Sequence, residues 1–219
     1  MDPVFWQERW QTRQIGFHQS SIHPFLERWW PTLHAEPPGR VYVPLCGKSL
    51  DMIWLAVRGH RVVGTELVGA AVQEFFGEVG TAAQSESIGP FRRHVAGSFE
   101  ILEGDAFALT PELLGPVQGA YDRAALVALP PAMRERYVAS FANSMPTGSR
   151  TLLVAFEYPQ RLKAGPPFSV EPDEVNRLYG RDFIVRELER VDIIGASPKF
   201  AEAGIPALHE VAYALERKE

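Results

Sequence analysis

A single run of 27 residues, from Arg40 to Glu66 (RVYVPLCGKSLDMIWLAVRGHRVVGTE), constrains this chain more than any other. Val41 to Leu45 is a short apolar stretch with β-branched character, and Cys46-Gly47-Lys48 interrupts it. Ser49 can then cap a helix that carries Leu50, Ile53, Trp54 and Val57. Gly59 ends that helix, and Arg61 to Thr65 forms a second buried strand with an acid, Glu66, at its carboxyl end. The order strand, tight loop, helix, strand, acid is half of a nucleotide-binding α/β fold.

What the loop can hold follows from its glycines. A dinucleotide brings a pyrophosphate, which needs close backbone approach at three glycines spaced G-x-G-x-x-G. Here the loop has Gly47 alone. Gly47-Lys48-Ser49 resembles the end of a phosphate-binding loop, but the position five residues earlier, where that loop needs a glycine, is Tyr42. A ligand with an adenosine and no phosphate needs one close approach and an acid for the ribose hydroxyls, and S-adenosylmethionine meets that description. Glu66 lies about twenty residues beyond the loop, the usual distance of a ribose acid. The competing reading of Glu66 is an acid favoured by the dipole of the following helix.

With 219 residues, the chain is expected to form one domain, with residues 1–38 as an N-terminal helical lid and 39–219 as the core. Insertions fall near 81–97 and 158–170. The 22 basic and 27 acidic residues give a net charge of −5 with no basic run, which argues against a nucleic-acid partner. Apolar segments are short, so no membrane span is expected. The lone Cys46 excludes an internal disulfide and fits a reducing, cytoplasmic location. Cys46 reads as a residue chosen for size rather than as a catalytic thiol, since no base lies near it in sequence. His and Cys do not pair at zinc spacing, so no metal is expected. No exposed apolar stripe stands out, and a monomer is expected.

Ahead of the nucleotide-binding unit lies an aromatic segment. Phe5, Trp6 and Trp10 fall near helical spacing over residues 4–14, and His23-Pro24 leads into a second helix through Trp30. Trp29 and Trp30 read as packing over the sheet, whereas Trp10 and Phe17 read as a cover for the ligand. Ala35 to Gly39 is a Pro/Gly connector. After Glu66, residues 68–80 read as a helix. Residues 81–97, with Gly89-Pro90, read as an insertion or a hairpin. A strand over 98–102 leads to Asp105, which can accept from an adenine amino group. Asp122-Arg123 ends a further strand on the ligand rim, with Arg123 either touching the ligand or clamping Asp122 or Glu66. The stretches 183–194 and 208–215 alternate as half-exposed strands do and suit an antiparallel ending to an otherwise parallel sheet. Between them, 195–205 is a loop carrying one cation, Lys199.

Several blocks taken together resemble the bacterial form of the thiopurine S-methyltransferases. They are Val4-Phe5-Trp6-Gln7-Glu8-Arg9-Trp10, Gly16-Phe17-His18-Gln19, Val43-Pro44-Leu45-Cys46-Gly47-Lys48-Ser49, Arg58-Gly59-His60, Glu74-Phe75-Phe76, Asp122 to Ala128 (DRAALVA) and Gly165-Pro166-Pro167-Phe168. The resemblance implies a Rossmann-like class I S-adenosylmethionine-dependent methyltransferase fold, with a mostly parallel seven-stranded sheet, an antiparallel C-terminal strand and helices on both faces. It implies cofactor contacts from Trp10, Leu45, Glu66, Asp105, Ala106 and Arg123. Phe17, Arg123 and Lys199 are then on the substrate side, Lys199 standing where the family usually has Arg. The substrate is expected to be a small thiol or selenol, with Arg123 the catalytic group that favours the thiolate. Two other readings compete: a nicotinamide oxidoreductase, which the missing glycines oppose, and a nucleotide-sensing module without turnover.

Overall fold

The computed structural model describes residues 3–33 and 39–219. The elements run α1 (Pro3–Gln11), α2 (Pro24–Leu33), β1 (Arg40–Val43), α3 (Leu50–Val57), β2 (Arg61–Glu66), α4 (Gly69–Val79), β3 (Gln84–Ile88), β4 (Phe91–Ala96) and β5 (Phe99–Glu103). There follow α5 (Pro111–Leu114), β6 (Gly119–Arg123), α6 (Pro131–Ser144), β7 (Arg150–Glu157), α7 (Pro172–Tyr179), β8 (Phe183–Asp192), α8 (Pro198–Ala201) and β9 (His209–Arg217). Most of the connector expected over 35–39 lies outside the described residues.

The described strands form one sheet in the order β3-β4-β5-β2-β1-β6-β7-β9-β8. From β5 to β7 the neighbours are parallel, and β9 runs antiparallel between β7 and β8. The seven expected strands are therefore present with their antiparallel C-terminal strand. The 81–97 segment resolves as a hairpin, β3 and β4, whose second strand pairs with β5 and lengthens the sheet to nine strands. Its four polar positions out of five in β3 show why no clean period announced it: β3 is an edge strand with solvent on both faces.

Strand pleating sends alternate residues to two cores. Val41, Val43, Ile101, Tyr121, Leu152 and Val154 pack with Leu26, Trp30, Met52, Leu55 and Phe75, so α2, α3 and α4 cover one face. Tyr42, Leu102, Ala120, Leu153 and Ala155 pack with Leu114, Val138, Phe141 and Tyr179, so α5, α6 and α7 cover the other. Helices on both faces follow from strands that are apolar on both sides.

The expected lid of residues 1–38 divides here. Trp30 is buried in the core and Trp29 donates from Nε1 to Glu189, 2.7 Å away, so α2 belongs to the sheet's cover. Among the described residues of that segment, only α1 and the stretch after it, with Trp6, Trp10, Ile15 and Phe17, pack on Leu67, Val68 and Ala71 above the sheet's edge. The 195–205 stretch is not a plain loop: α8 forms within it, and Phe200 and Ile205 pack with Tyr158 and Leu208.

One buried acid predicts how stability responds to pH. Asp122 accepts from the Tyr137 hydroxyl at 2.7 Å and the Leu126 amide at 3.2 Å, yet burial outweighs these bonds and pushes its carboxyl from 3.8 up to about 6. Between those values the unfolded chain has released the proton and the folded protein keeps it, so this acid's contribution falls as pH rises through the window and levels off above it. The loss is expected to be on the order of 2–3 kcal/mol. Urea unfolding from pH 3.5 to 7 should show this decline in the wild type and a flatter profile in Asp122→Asn. Equal slopes would refute it.

Candidate active site

The carboxyl edge of the parallel strands carries the candidate site, and its geometry begins with Glu66. Burial leaves Glu66 7% exposed at the end of β2. Oε2 accepts from the Gly47 amide and Oε1 from the Val68 amide, both at 2.8 Å, while the Glu66 carbonyl accepts from Gly104 at 2.8 Å. One residue thus ties together the loops that follow β1, β2 and β5. Burial raises its carboxyl pKa, while hydrogen bonds from Val68, Gly47 and Leu67 act the other way. The two short amide bonds occupy one acceptor site on each carboxylate oxygen and the Leu67 amide draws on a third, so of about four sites room remains for a ribose hydroxyl.

β1 and β6 are neighbours, and the chain leaves them in opposite directions across the sheet, which opens a crevice at their carboxyl ends. Both exits are strained. Leu45, just past β1, has φ +46°, and Ala124, just past β6, has φ +69°, left-handed values that non-glycine residues adopt at a cost on the order of 1–3 kcal/mol. Gly47 has φ +53°, which glycine tolerates freely.

The aromatic cover sits on this loop. A β-carbon at Gly47 would lie 3.4 Å from Cζ2 of Trp10, so the indole rests on the glycine's backbone. Trp10 is 4% exposed and meets the Phe17 ring edge-on at 5.9 Å. The Phe17 carbonyl in turn accepts from Arg123 Nη2 at 3.2 Å.

Arg123 does not clamp Asp122 or Glu66, the partners weighed from sequence. Asp122 points into the core toward Tyr137, because neighbouring residues of a strand face opposite sides. Arg123 instead pairs with Asp51, Nη1 to Oδ2 at 3.7 Å. Sequence reasoning missed Asp51, because an acid in the first turn of a helix already suits the helix dipole and draws no further notice. It also passed over His18, which follows Phe17. Burial, and then the Lys48 charge, lower the His18 pKa, and its Nδ1 is shielded from solvent without a hydrogen-bond partner.

Asp105 is exposed and accepts from the Phe107 amide at 3.0 Å, starting the short helical turn that includes Ala106 beyond β5. Lys199 is exposed on α8, with no hydrogen bond or ion pair to Phe17, Arg123 or Glu66. The structure therefore joins Trp10, Phe17, Glu66 and Arg123 in one contact chain and leaves Lys199 outside it. Lys48, the cation of the Gly-Lys-Ser triplet, is taken by Glu78 at 2.6 Å and Glu74 at 3.1 Å, as expected if the loop does not cradle phosphate. Among the described residues, no cluster of three or more His, Cys, Asp or Glu is arranged to hold a metal, and no helix is long and apolar enough to cross a membrane.

One glycine in the loop after β1, a buried acid at the end of β2 and an aromatic side chain resting on the loop fit S-adenosylmethionine, and the fold is that of this cofactor's methyltransferases. A solved methyltransferase of Burkholderia thailandensis, 1,6-didemethyltoxoflavin-N1-methyltransferase with bound S-adenosylhomocysteine, superposes with a TM-score of 0.63 at 15% identity, over 99% of this chain and 87% of that one. The family model for thiopurine S-methyltransferase matches residues 1–218. Proteins named thiopurine S-methyltransferase are 50% identical in Pseudomonas entomophila, over 99% of this chain and 100% of that one, and 49% identical in Azotobacter vinelandii, over 100% of both. The chain belongs to the thiopurine S-methyltransferase family, and its cofactor is S-adenosylmethionine.

Cys46 has a packing role, as its sequence context suggested. Its thiol is buried against Gly64 of the neighbouring strand, where a β-carbon would come within 2.5 Å of Sγ, and burial pushes its pKa well above the usual thiol value. Gly64→Ala should lose about 1–3 kcal/mol in thermal or urea unfolding, the scale of overpacking a core. Adding Cys46→Ala should return most of that loss. No recovery in the double variant would show that Gly64 is needed for another reason.

Proposed function

We propose that this enzyme methylates the sulfur of aromatic or heterocyclic thiols such as thiopurines, and selenium or tellurium nucleophiles of similar softness. The observation that carries the reading is Arg123, a guanidinium with a 12% exposed side chain at the crevice rim beside Phe17. One hydrogen bond and one ion pair use part of its donor fork, so N–H groups remain for a thiolate.

In this reading Glu66 receives the ribose hydroxyls, Leu45 and Trp10 flank the cofactor, and Asp105 and Ala106 meet the adenine. S-adenosylmethionine supplies the methyl group as an electrophilic sulfonium. The methyl would pass in line to the sulfur of a heterocyclic thiolate, whose proton goes to solvent, with S-adenosylhomocysteine as the leaving group. Two opposite charges disappear in that step, so a dry site lowers the barrier. Trp10 and Phe17 exclude water, and Arg123 orients the anion and favours it over the neutral thiol. Lys199 offers a second cation on the substrate side. The net charge of −5 supports small molecules rather than nucleic acid as partners, and we read the enzyme as a cytoplasmic monomer acting in detoxification.

Calorimetric titration with S-adenosylmethionine should show binding that Glu66→Ala weakens about tenfold or more, the scale of one charge-assisted hydrogen bond removed, with NADH as the silent control. NADH binding in place of S-adenosylmethionine would sink the cofactor assignment. Arg123→Ala should lower thiol methylation about tenfold or more while sparing the fold. Turnover of thiopurines with no turnover of selenols would limit the substrate class to sulfur.

A further inference from the structure

Arg123 is held from two sides, and the side away from the cover converges on one buried carboxylate. Asp51 is 2% exposed in the first turn of α3. Its Oδ1 accepts from the His23 amide at 2.9 Å, just ahead of α2. Its Oδ2 accepts from the Tyr121 hydroxyl at 3.0 Å and faces Arg123 Nη1 at 3.7 Å. Tyr121 and Arg123 are two residues apart on β6, so the pleat puts both side chains on the same face, toward α3. Burial first, and the neighbouring Asp51 charge second, keep the proton on Tyr121, so its hydroxyl is a dependable donor.

We infer that Asp51 is the positioning residue that sets the orientation in which Arg123 meets the substrate sulfur, an inference that rests on the role given to Arg123 above. Two donors from different elements, the backbone of His23 and the phenol of Tyr121, fix the carboxylate in place before Arg123 reaches it. The guanidinium then lies between Asp51 and the Phe17 carbonyl, one anchor in the core and one in the cover. At 3.7 Å the Asp51 contact is longer than a hydrogen bond. It fixes direction by charge and leaves N–H donors of Arg123 uncommitted. A tighter, two-point grip would take the donors that a thiolate needs. Removing the carboxylate leaves a nearly buried cation with, among the described residues, the Phe17 carbonyl to aim it.

A double-mutant cycle over Asp51→Asn and Arg123→Ala tests this, read by kcat for a heterocyclic thiol and by calorimetric affinity for that thiol with S-adenosylhomocysteine bound. Asp51→Asn alone should lower kcat about tenfold and weaken thiol binding, and in the Arg123→Ala background it should change either by no more than about twofold. Losses that add across the cycle, or a silent Asp51→Asn beside a damaging Arg123→Ala, overturn the positioning role. Wild-type turnover and thiol affinity in Arg123→Ala would instead remove the role of Arg123 itself. If Asp51→Asn does not fold, Tyr121→Phe takes its place in the cycle, since it deletes one donor to Asp51 and keeps the ring. It should reduce both readouts a few-fold, and only when Arg123 is present.

Discussion

The site depends on a buried carboxylate that is occupied twice before any ligand arrives. Glu66 receives the amides of Gly47 and Val68, and its carbonyl receives that of Gly104. Without an acceptor, those amides would be buried donors at a penalty on the order of 1–3 kcal/mol each. The acid therefore shapes three loops, and the same lone-pair arithmetic leaves it an acceptor site for a ligand hydroxyl. Holding the loop does not exhaust the side chain, because a carboxylate has about four acceptor sites and the Gly47, Val68 and Leu67 amides draw on three.

Around that anchor the backbone is held away from its relaxed conformations. Leu45 and Ala124 adopt left-handed φ where the chain leaves adjacent strands at the crevice. Such strain persists only where surroundings over-determine it. The Cys46 amide donates to the Thr65 carbonyl at 2.9 Å, and Asp122 accepts from the Leu126 amide just beyond Ala124, so both exits are pinned within a few residues. The result is a rim fixed in shape, which suits catalysis by positioning.

The cover is attached more lightly than the rim. Trp10 and Phe17 lie on the loops through aromatic and apolar contact, and one exposed ion pair, Arg13 to Glu74 at 2.8 Å, joins the same segment to α4. An exposed pair contributes little and weakens with salt. α2 behaves differently, because Phe25, Leu26, Trp30 and Leu33 are buried in the sheet's own core. The N-terminal segment thus joins a part buried in the sheet's core and a part that rests on the loops at the strand ends, and Arg123 touches the second through the Phe17 carbonyl.

The sequence by itself determined the nucleotide-binding half-fold, the single-glycine loop, Glu66 and the antiparallel ending of the sheet. These are local: periodicity, a capping Ser49 and a strand-end acid each occupy a few neighbouring residues, and the physics that reads them acts over the same span. It also gave a resemblance wide enough to name Trp10, Phe17 and Arg123. Tertiary structure alone decided whom those residues touch. Arg123 turned to Asp51, 72 positions earlier, rather than to its neighbour Asp122, because the pleat sends adjacent side chains to opposite faces. Lys199 stayed outside the contact chain because Phe200 and Ile205 fix its segment against Tyr158 and Leu208. The edge hairpin likewise needed β5 beside it before polar residues could form strands. Pairings between distant segments are set by packing and charge in three dimensions, and no window of sequence contains them.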